Sequence, residues 1–134
     1  MKILKTVFPL LAVALISFTS LFPSCSVSTA NLTDVKLCTS VDGNPCGEDM
    51  SKFSSDVQVI NCTASLNNAP AKTKVNFAWK KDGESIGTAD IESESGYVHS
   101  TFKPTDVLPA GNYSVTVKIE TDNSKPVTKN FTVE

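Results

Sequence analysis

The chain contains no arginine, a single histidine and a single tryptophan among its 134 residues. Without arginine there is no planar fork to grip a phosphate or a guanine edge through two bonds, and no cluster of lysines interleaves with aromatics. Nucleic acid is therefore not an expected partner. One histidine, His99, and the absence of a C-x-x-C pair leave a poor ligand supply for zinc, so neither a metal nor a cofactor is expected. No window of useful length has helical amphipathicity, and there is no internal repeat or low-complexity tract. Long apolar runs are missing too, apart from Val7 to Leu21 behind Lys2 and Lys5. That run suits the core of a signal peptide and is short for a membrane span.

The end of this export segment admits two readings. Leu21-Phe22-Pro23-Ser24-Cys25 resembles a bacterial lipobox, in which a small residue precedes a cysteine that receives a diacylglycerol thioether. Ser24 and Cys25 match that pattern, whereas Phe22 and Pro23 depart from it. The resemblance implies a signal peptide over 1–24, a membrane anchor on Cys25 and a polar tether over 25–32. The other reading is ordinary cleavage after Ala30, with Ser28 and Ala30 as the small residues at the site. Lipidation is favoured. Loss of residues 1–24 leaves 110, enough for one domain, and ten lysines against 14 carboxylates, a net charge of −4.

Four cysteines in a small exported chain point to an oxidising compartment. If Cys25 carries lipid, one of the other three is odd. The spacing favours Cys38 with Cys46, because the intervening Asp42-Gly43 and Pro45 are turn formers that bring the ends together at low loop-closure cost. Cys62 is then free, on the core side of a strand in which Ile60, Cys62, Ala64 and Leu66 recur with period two. Pairings that use Cys62 stay open, since connectivity is not fixed by spacing.

Period-two alternation predicts seven strands, over 33–41, 56–66, 74–81, 85–91, 97–102, 111–120 and 127–133, with 43–55 the least regular stretch. Seven antiparallel strands in about 100 residues predict an all-β, two-sheet sandwich over 33–134. Asp82-Gly83 is the clearest hairpin signal. Val75, Phe77 and Trp79 fall on one strand face ahead of that turn, and Leu108-Pro109-Ala110-Gly111-Asn112-Tyr113 precedes Val115 and Val117. These two motifs resemble the strand-C tryptophan with its following hairpin, and the tyrosine corner at the start of strand F, of immunoglobulin-like and fibronectin type III domains. The resemblance implies a core built on Trp79, Tyr113 and Leu108, with Gly111 needed either for a tight approach to the tyrosine ring or for a backbone angle that valine would resist. Val115 stands where antibody-type domains carry their second sheet-bridging cysteine, so no such bridge is expected. The whole layout resembles small envelope lipoproteins of bacteria.

Residues with chemical potential have plain structural readings. His99 alternates with Tyr97 and Thr101 and is expected to face solvent. Asp90, Glu92 and Glu94 alternate, and Asp42, Asn44, Glu48 and Asp49 share a loop; calcium is the sharper reading for each group and a solvated acidic surface the expected one. Asn31, Asn61, Asn112 and Asn130 each fit N-x-[ST]. No catalytic residue is expected. The expected function is a non-enzymatic envelope module, anchored to the membrane through Cys25, that presents loops over 42–55, 67–72 and 104–111 to a protein or glycan, as a monomer. The alternative is a small exported enzyme or redox protein using Cys62 or an acidic pair.

Replacement of Cys25 by serine is expected to move the mature protein from the membrane to the soluble fraction. Intact-mass analysis checks this, because a lipid-free N-terminus at Asn31 would establish cleavage after Ala30 instead.

Overall fold

A computed structural model describes residues 29–121 and 124–134; the expected signal peptide, Cys25 and the first part of the expected tether lie outside the described residues. The elements are β1 (Asn31–Cys38), β2 (Lys52–Phe53), β3 (Ile60–Asn67), β4 (Thr73–Lys81), β5 (Glu84–Ser93), β6 (Gly96–Phe102), β7 (Gly111–Ile119) and β8 (Val127–Val133). They form a three-stranded sheet in the order β1-β3-β6 and a five-stranded sheet in the order β2-β8-β7-β4-β5. The fold is the all-β, two-sheet immunoglobulin-like sandwich.

The strands differ from the sequence reading in number and in the bounds of the first, which ends at Cys38 and not at 41. Among the described residues there are eight strands, because β2 lies in the stretch that shows no regular pattern, and it pairs parallel to β8 in a sheet otherwise antiparallel. A two-residue strand is too short for alternation to mark it; it exists because Thr132 N–H donates to the Ser51 carbonyl at 2.9 Å and Glu134 N–H to the Phe53 carbonyl at 3.0 Å. At the other end of the chain order, β1 starts at Asn31, so Asn31 and Leu32 belong to a strand and not to the tether. Leu32 packs partly against the core, and the preceding Ala30 is buried.

The alternating residues meet between the sheets. Ile60, Cys62, Val75, Phe77, Val115, Val117 and Ile119 are fully shielded from solvent. Trp79 projects from β4 across the gap, stacks on Phe102 of β6 with ring centroids 5.5 Å apart, and donates its Nε1–H to Ser100 Oγ of β6 at 3.4 Å. Phe131 of β8 completes the aromatic group, stacked on Tyr113 at 5.3 Å and edge-on to Phe53 at 5.4 Å.

Local chemistry sets the connections. Asp82 (φ 48°) and Gly83 (φ 85°) both take positive φ, which is what a two-residue hairpin between right-twisted strands requires. Next to it a bulge leaves Ile86 without a partner, since Trp79 faces Gly87 while Lys80 faces Ser85. At the start of β7 the Tyr113 hydroxyl donates to the Pro109 carbonyl at 2.7 Å, and Leu108 is buried beneath the same turn. Of the two roles open to Gly111, the structure selects the backbone angle. An added Cβ would find its nearest neighbour, Lys81 Nζ, at an ordinary 3.6 Å, so room beside the tyrosine ring is not the constraint. The constraint is its φ of +153°, which side-chain-bearing residues rarely adopt.

Tyr113→Phe is expected to lower stability by about 1–3 kcal/mol, because ring packing survives while the Pro109 carbonyl loses its donor. Chemical denaturation with an unchanged m-value checks it.

Candidate functional site

The loop over 39–51 is tethered to both sheets at several points. Cys38 and Cys46 form a disulfide with their Cα atoms 5.7 Å apart, and Cys46 N–H donates to the buried Thr63 Oγ1 at 3.1 Å. Asp49 Oδ1 accepts from Leu37 N–H at 3.0 Å, Met50 N–H returns to the Leu37 carbonyl at 2.8 Å, and Lys129 of β8 pairs with Asp49. The segment thus crosses from the edge of β1 to the edge of β8 as a strap. In chain-entropy terms a disulfide closing so short a loop contributes about 2–3 kcal/mol. Burial opposes the charge on Asp49, yet the Lys129 and Leu37 bonds outweigh it and hold the carboxyl below its ordinary range.

The reactive residues singled out from sequence are dispersed. Cys62 is free and fully buried; burial first, and the charge of Asp49 second, push its thiol up to about 12, which leaves no thiolate for nucleophilic or redox work. His99 lies on the opposite face of the sheet, in register with Thr63, stacked on Tyr97 at 5.3 Å. Asp90 accepts a hydrogen bond from Asn76 at 2.7 Å, while Glu92 and Glu94 are exposed. Among the described residues no group of three or more His, Cys, Asp or Glu side chains is gathered tightly enough to hold a metal, so neither calcium reading finds an assembled site.

Of the loops expected to meet a partner, 42–55 is largely the strap, and 67–72 and 104–111 lie at opposite ends of the sandwich. The described chain enters at Ala30, and that end also carries 67–72 and the turn after β5, where Ala69 N–H donates to Ser95 Oγ at 2.7 Å. The far end carries 54–59, the Asp82-Gly83 hairpin, 103–110 and Glu134, with Leu108 N–H donating to the Ser55 carbonyl at 2.9 Å. Between 55–58 and 104–107 lies an open cleft of about 330 Å³. Val107 lines it at 69 % exposure, against 37 % for Ile86, the other exposed large hydrophobic among the described residues. A second hollow, about 420 Å³, opens nearby on the outer face where β2 meets β8, with Ser51, Lys52, Asn112, Asn130 and Thr132 around it. Sequence reasoning found 104–111, and its loop over 42–55 supplies Ser55 to the cleft and Ser51 and Lys52 to the hollow; it missed 56–58 and the β7 and β8 residues of the hollow. Asn112 and Asn130 stood out only as sequon matches, and the register that sets Asn112 against Thr132 is not a local signal.

No protein-family model matches the chain, and no curated protein resembles it. Solved structures do, at the level of the backbone. An immunoglobulin-like protein from Pseudomonas aeruginosa superposes with a TM-score of 0.57 at 8 % identity, over 78 % of this chain and 96 % of that one. Part of a β-glucosidase from Erythrobacter marinus matches at a TM-score of 0.51 and 11 % identity, over 79 % of this chain and 15 % of the enzyme. A superoxide reductase (neelaredoxin) from Ignicoccus hospitalis reaches only 0.44 at 16 % identity, over 65 % of this chain and 77 % of that one. At these identities the likeness establishes the sandwich alone.

Because the Asp49 carboxyl is held below its ordinary range, its contribution to stability is present above that range and lost as pH falls through the folded-state value. Asp49→Asn is therefore expected to flatten the acid limb of the stability profile, and to lower stability at neutral pH, where the wild-type ion pair is complete. Thermal melts of both proteins between about pH 3 and 7 check this against the ordinary carboxylate titration range.

Proposed function

We propose that the protein is a non-enzymatic binding or assembly module of the cell envelope, held at the membrane by lipid on Cys25, whose far end meets a protein or glycan partner. The observation that carries this reading is the coincidence of two hollows at one end of a rigid sandwich. One holds the exposed Val107 and the other is rimmed by amide and hydroxyl side chains. Both lie away from Ala30, where the chain would rise from a lipid anchor, so they would face outward from the membrane. Loops fixed by a scaffold are where recognition is usually placed. The disulfide agrees with an oxidising compartment outside the cytoplasm.

A photo-reactive benzophenone amino acid at Val107 is expected to give a covalent adduct with an envelope component in cells of the source organism, and the same group at Lys125, in the segment after β7, to give none. Adducts at Lys125 alone would place the partner at the membrane-proximal end and refute the reading.

A further inference from the structure

Asn31, Asn44, Asn61, Asn67 and Asn76 each commit the side-chain amide to another residue of the fold. Among the described residues, the side chains of Asn68, Asn112 and Asn130 do not. Asn68 stands apart from the other two, at the end where the described chain enters. Asn112 and Asn130 stand together, because β7 and β8 pair Asn112 with Thr132 and Ser114 with Asn130, which sets the two free amides diagonally on adjacent strands. Both line the hollow of about 420 Å³ beside β2.

The rim of that hollow is fixed by backbone bonds. Thr132 N–H donates to the Ser51 carbonyl at 2.9 Å and Asp82 N–H to the Asn112 carbonyl at 2.9 Å, so the rim residues are held from two sides. The buried, mutually stacked Tyr113 and Phe131 complete the lining. Groups already ordered by strands lose little freedom when a ligand arrives.

Charge narrows the choice of ligand. No carboxylate lines the hollow, and its one lysine, Lys52, is paired with Glu134 at 3.7 Å. Lys81, at the neighbouring hairpin, is bonded to Asp82 at 2.9 Å. Lys80 of β4, in register with Ser114, is diagonal to Asn112 and outside the lining. What faces the hollow is neutral and polar. An asparagine amide offers two donors and an acceptor, and the hydroxyls of Ser51 and Thr132 act as either, a set that matches the successive hydroxyls of a sugar ring. The size agrees, since pockets for small organic ligands start at about 300 Å³. An extended peptide fits less well, because β2 already occupies the edge of β8 against which it would pair.

We propose that this hollow is a glycan subsite that takes a neutral pyranose unit, bonded by the side chains of Asn112 and Asn130 with Ser51 and Thr132 beside them. The inference rests on the reading that the far end meets the partner, and it assigns the glycan to this hollow and not to the Val107 cleft.

The probes are two neutral trisaccharides, maltotriose and tri-N-acetylchitotriose, each titrated into the full exported protein, isotope-labelled, in detergent and followed by NMR. At least one is expected to bind saturably, shifting the side-chain amide signals of Asn112 and Asn130 and leaving that of Asn68 in place. Affinity is expected to fall at least tenfold in the double variant Asn112→Ala/Asn130→Ala, and to be the same in Lys80→Gln and across about 0.05 to 0.5 M salt, where exposed charges become screened. Failure of both sugars to bind, indifference to the double substitution in a variant that melts like wild type, shifts confined to residues 104–107, or an affinity that salt and Lys80→Gln both abolish would each overturn the proposal. Crosslinking at Val107 reads the far end separately. Adducts there with no sugar bound by the purified protein would remove the subsite and leave the proposed function standing, whereas sugar binding without adducts would do the reverse.

Discussion

Trp79 fixes where one sheet sits on the other. Apolar contact alone would let two β-layers slide, since it has no direction. The indole adds direction: its N–H is buried and needs an acceptor, and the acceptor is Ser100 on the core face of β6. Leaving such a donor unpaired costs about 1–3 kcal/mol, comparable to a sizeable share of a small domain's stability. A one-residue slip of β6 along β3 would turn Ser100 outward and His99 into the core, so the bond and the alternation enforce the same register. The stacking of Trp79 on Phe102 and its edge contact with Phe131 at 6.3 Å then place the far-end turn.

From that fixed stacking the rest of the surface follows. The chain passes repeatedly between the layers, β1 to β2, β2 to β3, β3 to β4, β5 to β6 and β6 to β7, and each passage is held by a strand at both of its ends. Two of these passages, 54–59 and 103–110, meet at the far end through the Leu108 to Ser55 hydrogen bond, which is why a cleft forms there with little freedom to close. Another, 39–51, lies along a flank and is spent on structure through the disulfide and Asp49. Loops with similar composition thus have different uses, decided by which edges they happen to cross.

Much of this was legible in the sequence where the signal is local. The Asp82-Gly83 turn needs two positive φ values and a glycine at its second position; the Ile60 to Leu66 alternation needs one face in the core; the Cys38 to Cys46 spacing needs a tight turn between them. Each is contained in fewer than ten residues. What escaped depends on partners distant in sequence. β2 exists only because Ser51 and Phe53 find Thr132 and Glu134, about 80 residues further on. Asp49 read as a member of an acidic loop until Lys129 reached it across the sandwich. The strand over 85–91 was visible, but that its core face stays half-covered depends on the other sheet having three strands, a property that no single stretch of residues encodes. The hollow beside β2 is likewise a product of register between β7 and β8, with Asn112 and Asn130 brought to one surface by pairing.

The strap has a mechanical side. Under the proposed function, with an anchor at the N-terminus and a partner at the far end, tension would run along the strands, and β1 would be the strand that takes the load. Pulled along its axis, β1 loads its hydrogen bonds to β3 together in shear and does not peel them one by one. The bulge at Asp34 (φ 51°) divides that ladder into two blocks, 31–33 and 36–38, so the outer block can yield as a short extensible section while the inner one holds. The inner block ends at Cys38, whose bond to Cys46 hands the force to Thr63 on β3 and, through Asp49 and Lys129, to β8 in the other sheet. A disulfide that closes only a small loop thereby works as a rivet between layers, sharing a pull that would otherwise strip a single edge strand from the fold.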